Sequence, residues 1–332
     1  MNTASLPRVS LLRGETPLHP LPRYSAALGH SGILLKRDDV MTLGMGGNKV
    51  RSLEFWLGEA AARGCDIVLV CGLPPSNLCR LSAAACCAAG IECRILHNGE
   101  APRPGEAETG NQLLNRLMGV QRIYLGTVDE HARTRAAHDY ADALRAEGRT
   151  PYLIGDEVTG ALGYFEAARE LAQQCARDGV DLRHVVISAS AGPTESGLMF
   201  GLAHFMPQVR VHLVSVEYGE AQFWHIAEEI FAGLRERLHL TVQPRQNARF
   251  YADWLGEGYG VPTAESIDAV RQLAGLEGVF METTYNAKTL AGLRGLIARG
   301  DLPQNETVCL WHTGGAPALF GQAAALCAPS GR

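Results

Sequence analysis

The sequence predicts an α/β protein in which mainly parallel, open twisted sheets are flanked by helices. Short runs rich in β-branched residues alternate with amphipathic helical stretches along the 332 residues. The chain is 46% hydrophobic and 20% charged, which is enough for one large domain or two ordinary ones. Several glycine-containing turns join a predicted strand to a predicted helix, and open α/β sheets bind ligands at such turns.

The predicted elements follow one another in regular order. Most of the strands are short runs rich in apolar and β-branched residues, as expected for parallel strands flanked by helices. The strands span residues 33–36, 66–71, 92–96, 121–125, 151–154, 184–188, 209–216 and 307–311. The helices span residues 48–63, 77–89, 110–118, 130–146, 161–176 and 194–205.

Composition excludes several classes of function. The net charge of -5 gives no reason to expect nucleic acid or an anionic membrane as partner. No apolar stretch approaches the roughly 18 residues of a membrane-spanning helix, and residues 1–18 lack the pattern of a signal peptide. The nine cysteines include no Cys-x-x-Cys pair, so we expect reduced thiols in a cytoplasmic protein without a metal site.

The segment GGNKVR at residues 46–51 contains the most informative residue, Lys49. Its two glycines allow the backbone to approach a flat ligand closely. The lysine follows on the first turn of a predicted helix, where the positive end of the helix dipole lowers the pKa of an amine. Lysines with a lowered pKa serve as Schiff-base nucleophiles. On this segment alone, a solvated surface lysine remains an equal alternative.

Four further strand-to-helix turns are candidates for ligand binding. They are GLPPSNLCR at residues 72–80, SASAGPT at 188–194, ETTYNAK at 282–288 and WHTGGAP at 311–317. Each has a structural alternative. The first, taken alone, is better explained as a capped helix and nothing more, and the second is a weak phosphate cradle because it has one glycine and Pro193 lacks an amide proton. Tyr285 suits a packing role, and His312 a structural one.

Taken in order, these segments resemble the pyridoxal-phosphate enzymes of the tryptophan-synthase-β fold, called fold type II. They look closest to the D-cysteine desulfhydrase and 1-aminocyclopropane-1-carboxylate deaminase family. The resemblance also includes TPL at residues 16–18, KRDD at 36–39 and GYGVP at 258–262. It implies a smaller domain of residues 52–157 inserted into a larger one of 1–51 and 158–332, with the cofactor between them, and a homodimer.

The resemblance also implies roles for individual residues. Lys49 would hold pyridoxal 5'-phosphate as a Schiff base and later move the proton of the substrate Cα. Asn77 would bind the ring hydroxyl, Thr313 would face the pyridine nitrogen, and Ser76 would hold the substrate carboxylate. Further cofactor contacts would come from Asn48, Ser190, Ala191, Gly192, Thr194 and Gly314, and further substrate contacts from Asn77, Leu78, Tyr259, Tyr285 and Asn286; Lys49, Ser76 and Tyr285 would be catalytic.

Departures from the family pattern bear on the reaction. Pro75 and Leu78 stand where the family commonly has glutamine and histidine, and the phosphate turn is poor in glycine. Asn286 replaces the glutamate of the cyclopropane deaminases. Neither Asn286 nor Thr313 can carry the negative charge that keeps the pyridine nitrogen protonated. We therefore expect β-elimination, which needs a weaker electron sink than ring opening does.

The expected protein is a lyase that takes a small amino acid with a β-leaving group, such as D-cysteine or a sulfonated or chlorinated relative. It would release a 2-oxo acid and ammonia. Three alternatives stay open: a cyclopropane-opening deaminase, a biosynthetic enzyme performing β- or γ-replacement, and a degenerate member that binds a ligand without turnover. The sequence alone does not separate them.

Overall fold

Two separate sheets organise the chain in the computed structural model, which describes residues 3–327. The strands are β1 Leu18–Pro20, β2 Ile33–Arg37, β3 Ile67–Gly72, β4 Glu92–His97, β5 Gln121–Tyr124, β6 Pro151–Leu153, β7 Leu182–Ala189, β8 Arg210–Ser215, β9 Ala248–Tyr251 and β10 Thr307–His312. Short 3-10 turns lie at Thr3–Ser5, Asp38–Val40, Leu43–Met45, Pro244–Asn247 and Ala316–Gly321.

The α-helices lie between these strands in sequence. They are α1 Pro22–Ala27, α2 Lys49–Ala62, α3 Asn77–Ala89, α4 Gly110–Leu117, α5 Glu130–Ala146, α6 Glu157–Asp178, α7 Pro193–Phe205, α8 Glu220–Leu238, α9 Ala264–Glu277, α10 Asn286–Arg299 and α11 Ala323–Cys327. Among residues 3–327, none of them has both the length and the apolar character needed to cross a membrane.

The sheets are parallel-rich, as the sequence predicts. The larger has strand order β1-β2-β10-β7-β8-β9, and only its β1–β2 pair is antiparallel among the described strands. The smaller has order β5-β4-β3-β6, and its described pairs are all parallel. Because parallel strands end at the same edge of a sheet, the turns that follow β7 and β10 lie at one edge of the larger sheet, and the turn after β3 lies at the corresponding edge of the smaller sheet.

The smaller sheet takes its strands from residues 67–153, and the larger sheet takes its strands from residues on either side of that stretch. Helix α2 packs against both. Phe55 joins the apolar core of the larger sheet, whereas Leu53 and Trp56 join the core around β3. The domain boundaries at residues 52 and 157 stay a prediction.

The fourteen predicted elements are confirmed, with small shifts of their ends. Helix α6 begins four residues earlier than predicted, because Asp156 accepts hydrogen bonds from Val158 and Thr159 and caps it. No bounds were predicted for α1, α8, α9, α10, α11, β1 and β9. Helix α8 starts after Gly219 without a side-chain cap, so its start lacks the usual local signal.

Candidate active site

Lys49 begins α2 and lies where three of the predicted turns meet. The backbone amide of the preceding Asn48 donates to the carbonyl of Thr313 over 2.8 Å. The side-chain amide of Asn48 donates to the hydroxyl of Thr194 over 2.9 Å. Gly47 forms an isolated β-bridge with Gly314. The structure thereby joins the lysine segment to the turn after β10 and to the start of α7.

Two glycines are required for this close backbone packing. Gly46 has φ +72°, and a Cβ there would lie 2.2 Å from the carbonyl oxygen of Asp39. Gly314 has φ +96°, and a Cβ there would lie 2.5 Å from Cα of Gly47. Neither position tolerates a side chain, because both the dihedral angle and the space exclude one. We call the closely packed backbone beside Lys49, formed by Gly46, Gly47 and Gly314, the glycine platform. It depends on the absence of side chains at Gly46 and Gly314.

Arg80 supports the same turn and was missed by the sequence analysis. It is fully buried on α3, and its guanidinium donates to the carbonyls of Gly44 and Gly46. Burial lowers its pKa to about 10. A single arginine on the buried face of an alanine-rich helix was the available signal, since such a charge needs polar partners in the core.

The chain has three lysines, and two of them are already bound. Lys36 donates to the Thr16 carbonyl and to the side chains of Glu170 and Gln174. Lys288 donates to the carbonyls of Leu255 and Gly258 over 2.7 and 2.6 Å. Lys49 is therefore the lysine suited to condense with an aldehyde.

Burial around the Lys49 amine lowers its pKa, and nearby carboxylates partly oppose this effect. Those carboxylates belong to Glu195, Glu157 and Glu217. The sequence analysis expected the pKa to fall through the helix dipole; in the structure the largest cause is desolvation. A lysine with a lowered pKa retains a larger fraction of uncharged amine, which is the nucleophilic form.

None of the three glutamates was identified from sequence. Glu157 and Glu195 lie in the first turns of α6 and α7, and Glu217 lies two residues after the end of β8. Glu157 is exposed, whereas Glu195 is buried. Burial together with neighbouring carboxylates raises the pKa of Glu217 to about 7. The sequence signal for these three glutamates was their position near the carboxyl end of a strand or at the start of a helix, where ligands bind in α/β folds.

The predicted phosphate turn, residues 190–194, is called the anion turn below. Its Ser190 and Gly192 amides both point at one oxygen, Oε1 of Glu195, at 2.6 and 3.1 Å. Ala191 between them has φ +54°, the left-handed conformation that lets successive amides converge. The turn is thus shaped to hold an anion despite Pro193, and the anion it holds is a side chain of the same protein.

Ser76 and Asn77 lie at the start of α3, next to the turn that follows β10. The hydroxyl of Ser76 accepts from the amide of Cys79 over 3.3 Å and caps the helix. The Asn77 side chain accepts from Asn111 Nδ2 over 2.9 Å. A Cβ at Gly315 would lie 3.1 Å from Asn77 Nδ2, so the two segments are in contact. The roles of Ser76, Asn77 and the half-buried Leu78 stay predictions.

Asn286 fixes the turn that carries Thr313. Its Oδ1 accepts from the amide and the hydroxyl of Thr313, at 3.0 and 3.1 Å. Its Nδ2 donates to the carbonyl of Gly314 over 2.8 Å and to Glu282 Oε1 over 3.1 Å. The amide is therefore engaged on both ends, and Asn286 acts by holding Thr313 in place. Its predicted contact with substrate stays a prediction.

Glu282 is a buried carboxylate behind Asn286 that the sequence analysis did not single out. It accepts from the backbone amides of Thr284, Tyr285 and Asn286. Burial raises its pKa. Because its oxygens are bound by these amides, Glu282 organises the start of α10, and the side chain next to Thr313 is the neutral Asn286.

Tyr285 precedes α10, and its hydroxyl is hydrogen-bonded to that of Tyr259. The two rings meet edge to face with centroids 5.6 Å apart. Burial raises the pKa of Tyr285 far above its ordinary value, so the hydroxyl is protonated at neutral pH. The structure brings these residues together from segments 26 positions apart. Their roles toward substrate stay predictions.

Replacing Asn286 with aspartate is expected to destabilise the protein by about 3 kcal/mol. The new carboxylate would face Glu282 Oε1 and the Gly314 carbonyl, both acceptors, where the amide now donates. Because two adjacent buried carboxyls have raised pKa values when folded, the loss should grow as the pH rises. Urea unfolding at two pH values measures it. Asn247→Asp, at a surface amide that donates to the Pro207 carbonyl, is the control; equal midpoints for both variants would contradict the prediction.

Comparison with known proteins identifies the family. A family model described as "Pyridoxal-phosphate dependent enzyme" matches residues 9–314. The chain belongs to this family. Its cofactor is pyridoxal 5'-phosphate, as the sequence predicts, and its fold is fold type II.

Solved structures agree on the fold of this pyridoxal-phosphate dependent enzyme. The crystal structure of an ACC deaminase homologue is similar, with TM-score 0.88 and 30% identity, over 98% of this chain and 96% of that one. Threonine deaminase isoform 2 from Solanum lycopersicum has TM-score 0.68 and 16% identity, over 95% and 84%. O-ureido-L-serine synthase has TM-score 0.69 and 18% identity, over 96% and 95%.

The residues present fit this cofactor. Lys49 has the lowered pKa that an amine needs to condense with its aldehyde, and the glycine platform leaves backbone rather than side chains beside that amine. The anion turn has two amides that converge on one carboxylate oxygen, and a phosphate oxygen requires donors of the same kind. The binding of the phosphate at this turn stays a prediction.

Proposed function

We propose that the protein catalyses β-elimination on a small amino acid and releases a 2-oxo acid and ammonia. The observation that carries the proposal is the neutral surrounding of Thr313, whose amide and hydroxyl both donate to Asn286. Pyridoxal phosphate, when bound, supplies the electron sink for the substrate Cα, and the protein tunes the strength of that sink. A neutral neighbour supports loss of a good β-leaving group better than opening of a cyclopropane ring.

Each residue is proposed for a step in catalysis or substrate binding that suits its protonation state or its hydrogen-bond donors in the structure. The Lys49 amine, with its lowered pKa, takes the proton from the substrate Cα. The free amides at the start of α3, together with Ser76, bind the substrate carboxylate. Tyr285, protonated through burial, donates a proton to the leaving group as that group departs with the electron pair of its bond to Cβ.

Replacing Tyr285 with phenylalanine should lower kcat on the order of 100-fold with little change in KM, because a proton donor in the transition state is lost. The ring and its packing remain. Tyr259→Phe is the matched control: it removes the hydrogen bond between the two hydroxyls but keeps that of Tyr285, so its effect should be much smaller. Steady-state kinetics on the best substrate tests this. Equal kcat for Tyr285→Phe and the unmodified enzyme would remove Tyr285 from the chemistry.

The reaction itself is tested by a panel of β-substituted alanines of both chiralities, with thiol, sulfonate and chloride leaving groups. We expect 2-oxo acid and ammonia in equal amounts, with no requirement for a second nucleophile. A product that incorporates an added nucleophile would indicate replacement instead. Tight cofactor binding without turnover of any substrate would indicate a ligand-binding member of the family.

Ring opening is the second candidate, because the chain is 30% identical to an ACC deaminase homologue over nearly its full length. It predicts 2-oxobutanoate from 1-aminocyclopropane-1-carboxylate. Formation of that product faster than elimination from any β-substituted alanine would overturn our preference. The Asn286–Thr313 arrangement would then have been wrongly interpreted as a weak electron sink.

A further inference from the structure

We propose that Glu195 competes with the cofactor phosphate: its carboxylate holds the amides of the anion turn, and pyridoxal phosphate binds by displacing it. The inference rests on the proposed placement of the phosphate at residues 190–194. It goes beyond that placement by assigning Glu195 a role in setting cofactor affinity.

The geometry places the carboxylate where an anionic ligand is bound. Glu195 is the third residue of α7, and its side chain folds back over the helix start. Its Oε1 accepts from the Ser190 and Gly192 amides, at 2.6 and 3.1 Å, and the side chain is 2% exposed. A phosphate oxygen requires the same donors as a carboxylate oxygen does, so the two compete for the same amides.

The anion turn has few donors to spare for a second anion. Pro193 contributes no amide proton. The hydroxyl of Thr194 accepts from Asn48 Nδ2 and so has only its own proton to donate to a ligand. Without the Ser190 and Gly192 amides, a phosphate would lose two of the donors that converge at this turn. Competition between the two anions is therefore direct.

Electrostatic repulsion also opposes the simultaneous presence of the Glu195 carboxylate and the phosphate at the anion turn. A bound phosphate dianion would lie beside the carboxylate of Glu195, and like charges in a buried site repel strongly. Glu217 and Glu157 lie near enough to influence Lys49 and add negative charge to the same region. Burial raises the pKa of Glu195, which makes neutralisation or movement of its side chain easier when a stronger anion arrives.

The test compares the affinity for pyridoxal phosphate in four forms of the full-length chain stripped of cofactor: unmodified, Glu195→Ala, Glu195→Gln and Glu157→Gln. Isothermal calorimetry gives Kd whether or not a Schiff base forms. Glu195→Ala should tighten binding at least about tenfold, because two charge-assisted hydrogen bonds no longer have to be broken. The affinity of Glu195→Gln should lie between those of the unmodified chain and Glu195→Ala, since its amide oxygen still accepts from the turn but carries no charge.

Glu157→Gln is the matched control for charge. At a pH above the raised pKa of Glu157, which is about 7, this substitution removes one negative charge near Lys49, and the effect should stay within about threefold. Pyridoxal, which lacks the phosphate, is the matched control for the ligand. Its affinity should be the same in the unmodified chain and in Glu195→Ala, because the competition involves the phosphate alone.

Unchanged or weaker binding of pyridoxal phosphate in both Glu195 variants would overturn the proposal and leave Glu195 as a helix cap. Equal tightening for pyridoxal would also overturn it, as would failure of every form to bind. If Glu195→Ala does not fold, the isosteric Glu195→Gln decides by itself. Visible absorbance, recorded in parallel, reports whether Lys49 forms a Schiff base with pyridoxal phosphate. Variants that bind the cofactor tightly but stay colourless would count against the proposed function and not against the role of Glu195.

Discussion

Replacing Lys49 with alanine is expected to leave a folded protein that forms no coloured Schiff base with pyridoxal phosphate and has lost activity on the order of 1,000-fold. Lys49 starts α2 at the meeting point of the three turns, and burial lowers its pKa. The other two lysines, Lys36 and Lys288, are each bound by groups of the protein. The visible spectrum after cofactor addition is the first measurement.

Chemical trapping makes this test specific to one position. Borohydride reduction of the loaded enzyme should fix the pyridoxyl group on the peptide that contains Lys49 and leave the other two lysines unmodified. Lys49→Arg is the matched control, because arginine has a positively charged side chain of similar length but cannot condense with an aldehyde under these conditions. It should be as colourless as Lys49→Ala. A band retained in either variant, or an adduct on Lys36 or Lys288, would refute the assignment.

Replacing Arg51 with alanine should destabilise the protein by about 3–5 kcal/mol, the loss typical of breaking a buried ion pair from one side. Arg51 is 1% exposed and pairs with Asp38 over 2.8 Å and with Glu170 over 3.0 Å. Burial alone would raise the pKa of Asp38, but the Arg51 guanidinium outweighs it and lowers that pKa to about 2. Tyr164 and Trp311 also donate to Asp38, so removing Arg51 leaves a buried anion with neutral partners.

The matched control lies on the same helix. Arg63 at the end of α2 pairs with Glu59 in an exposed position, and Arg63→Ala should change the free energy of unfolding by less than about 1 kcal/mol. Urea denaturation of both variants measures the difference. Similar midpoints for the two would show that the buried network contributes no more than a surface pair. Because Arg51 lies two residues after Lys49, we also expect weaker cofactor binding in Arg51→Ala.

Local sequence signals predicted much of the fold. Helix α3 was predicted with its observed ends, because Ser76 provides a cap at its start and Gly90 the left-handed residue at its end. Strand β3 was found from an unbroken apolar run. Helix α8 was missed because its start carries no side-chain cap, although its apolar face is buried in the core of the larger sheet.

The candidate site was predicted less completely. The turns with Lys49, Ser190 and Thr313 were recognised from sequence, and the structure brings them into contact. The partners of these turns were not: Arg80 beneath the glycine platform, Glu195 in the anion turn, and Glu282 behind Asn286. Each lies within or next to a recognised turn, but the contacts of its own side chain follow from burial and have no motif in the sequence.

By itself the sequence determined the alternating architecture and the family, and it singled out Lys49 as the predicted amine for the cofactor, because caps, apolar runs and glycine turns are encoded within a few consecutive residues. Only the tertiary structure decided what surrounds that amine. Whether Thr313 contacts the amide of Asn286 or the carboxylate of Glu282 depends on how α10 packs against β10. Such contacts between distant segments are set by packing and burial, which no local pattern specifies.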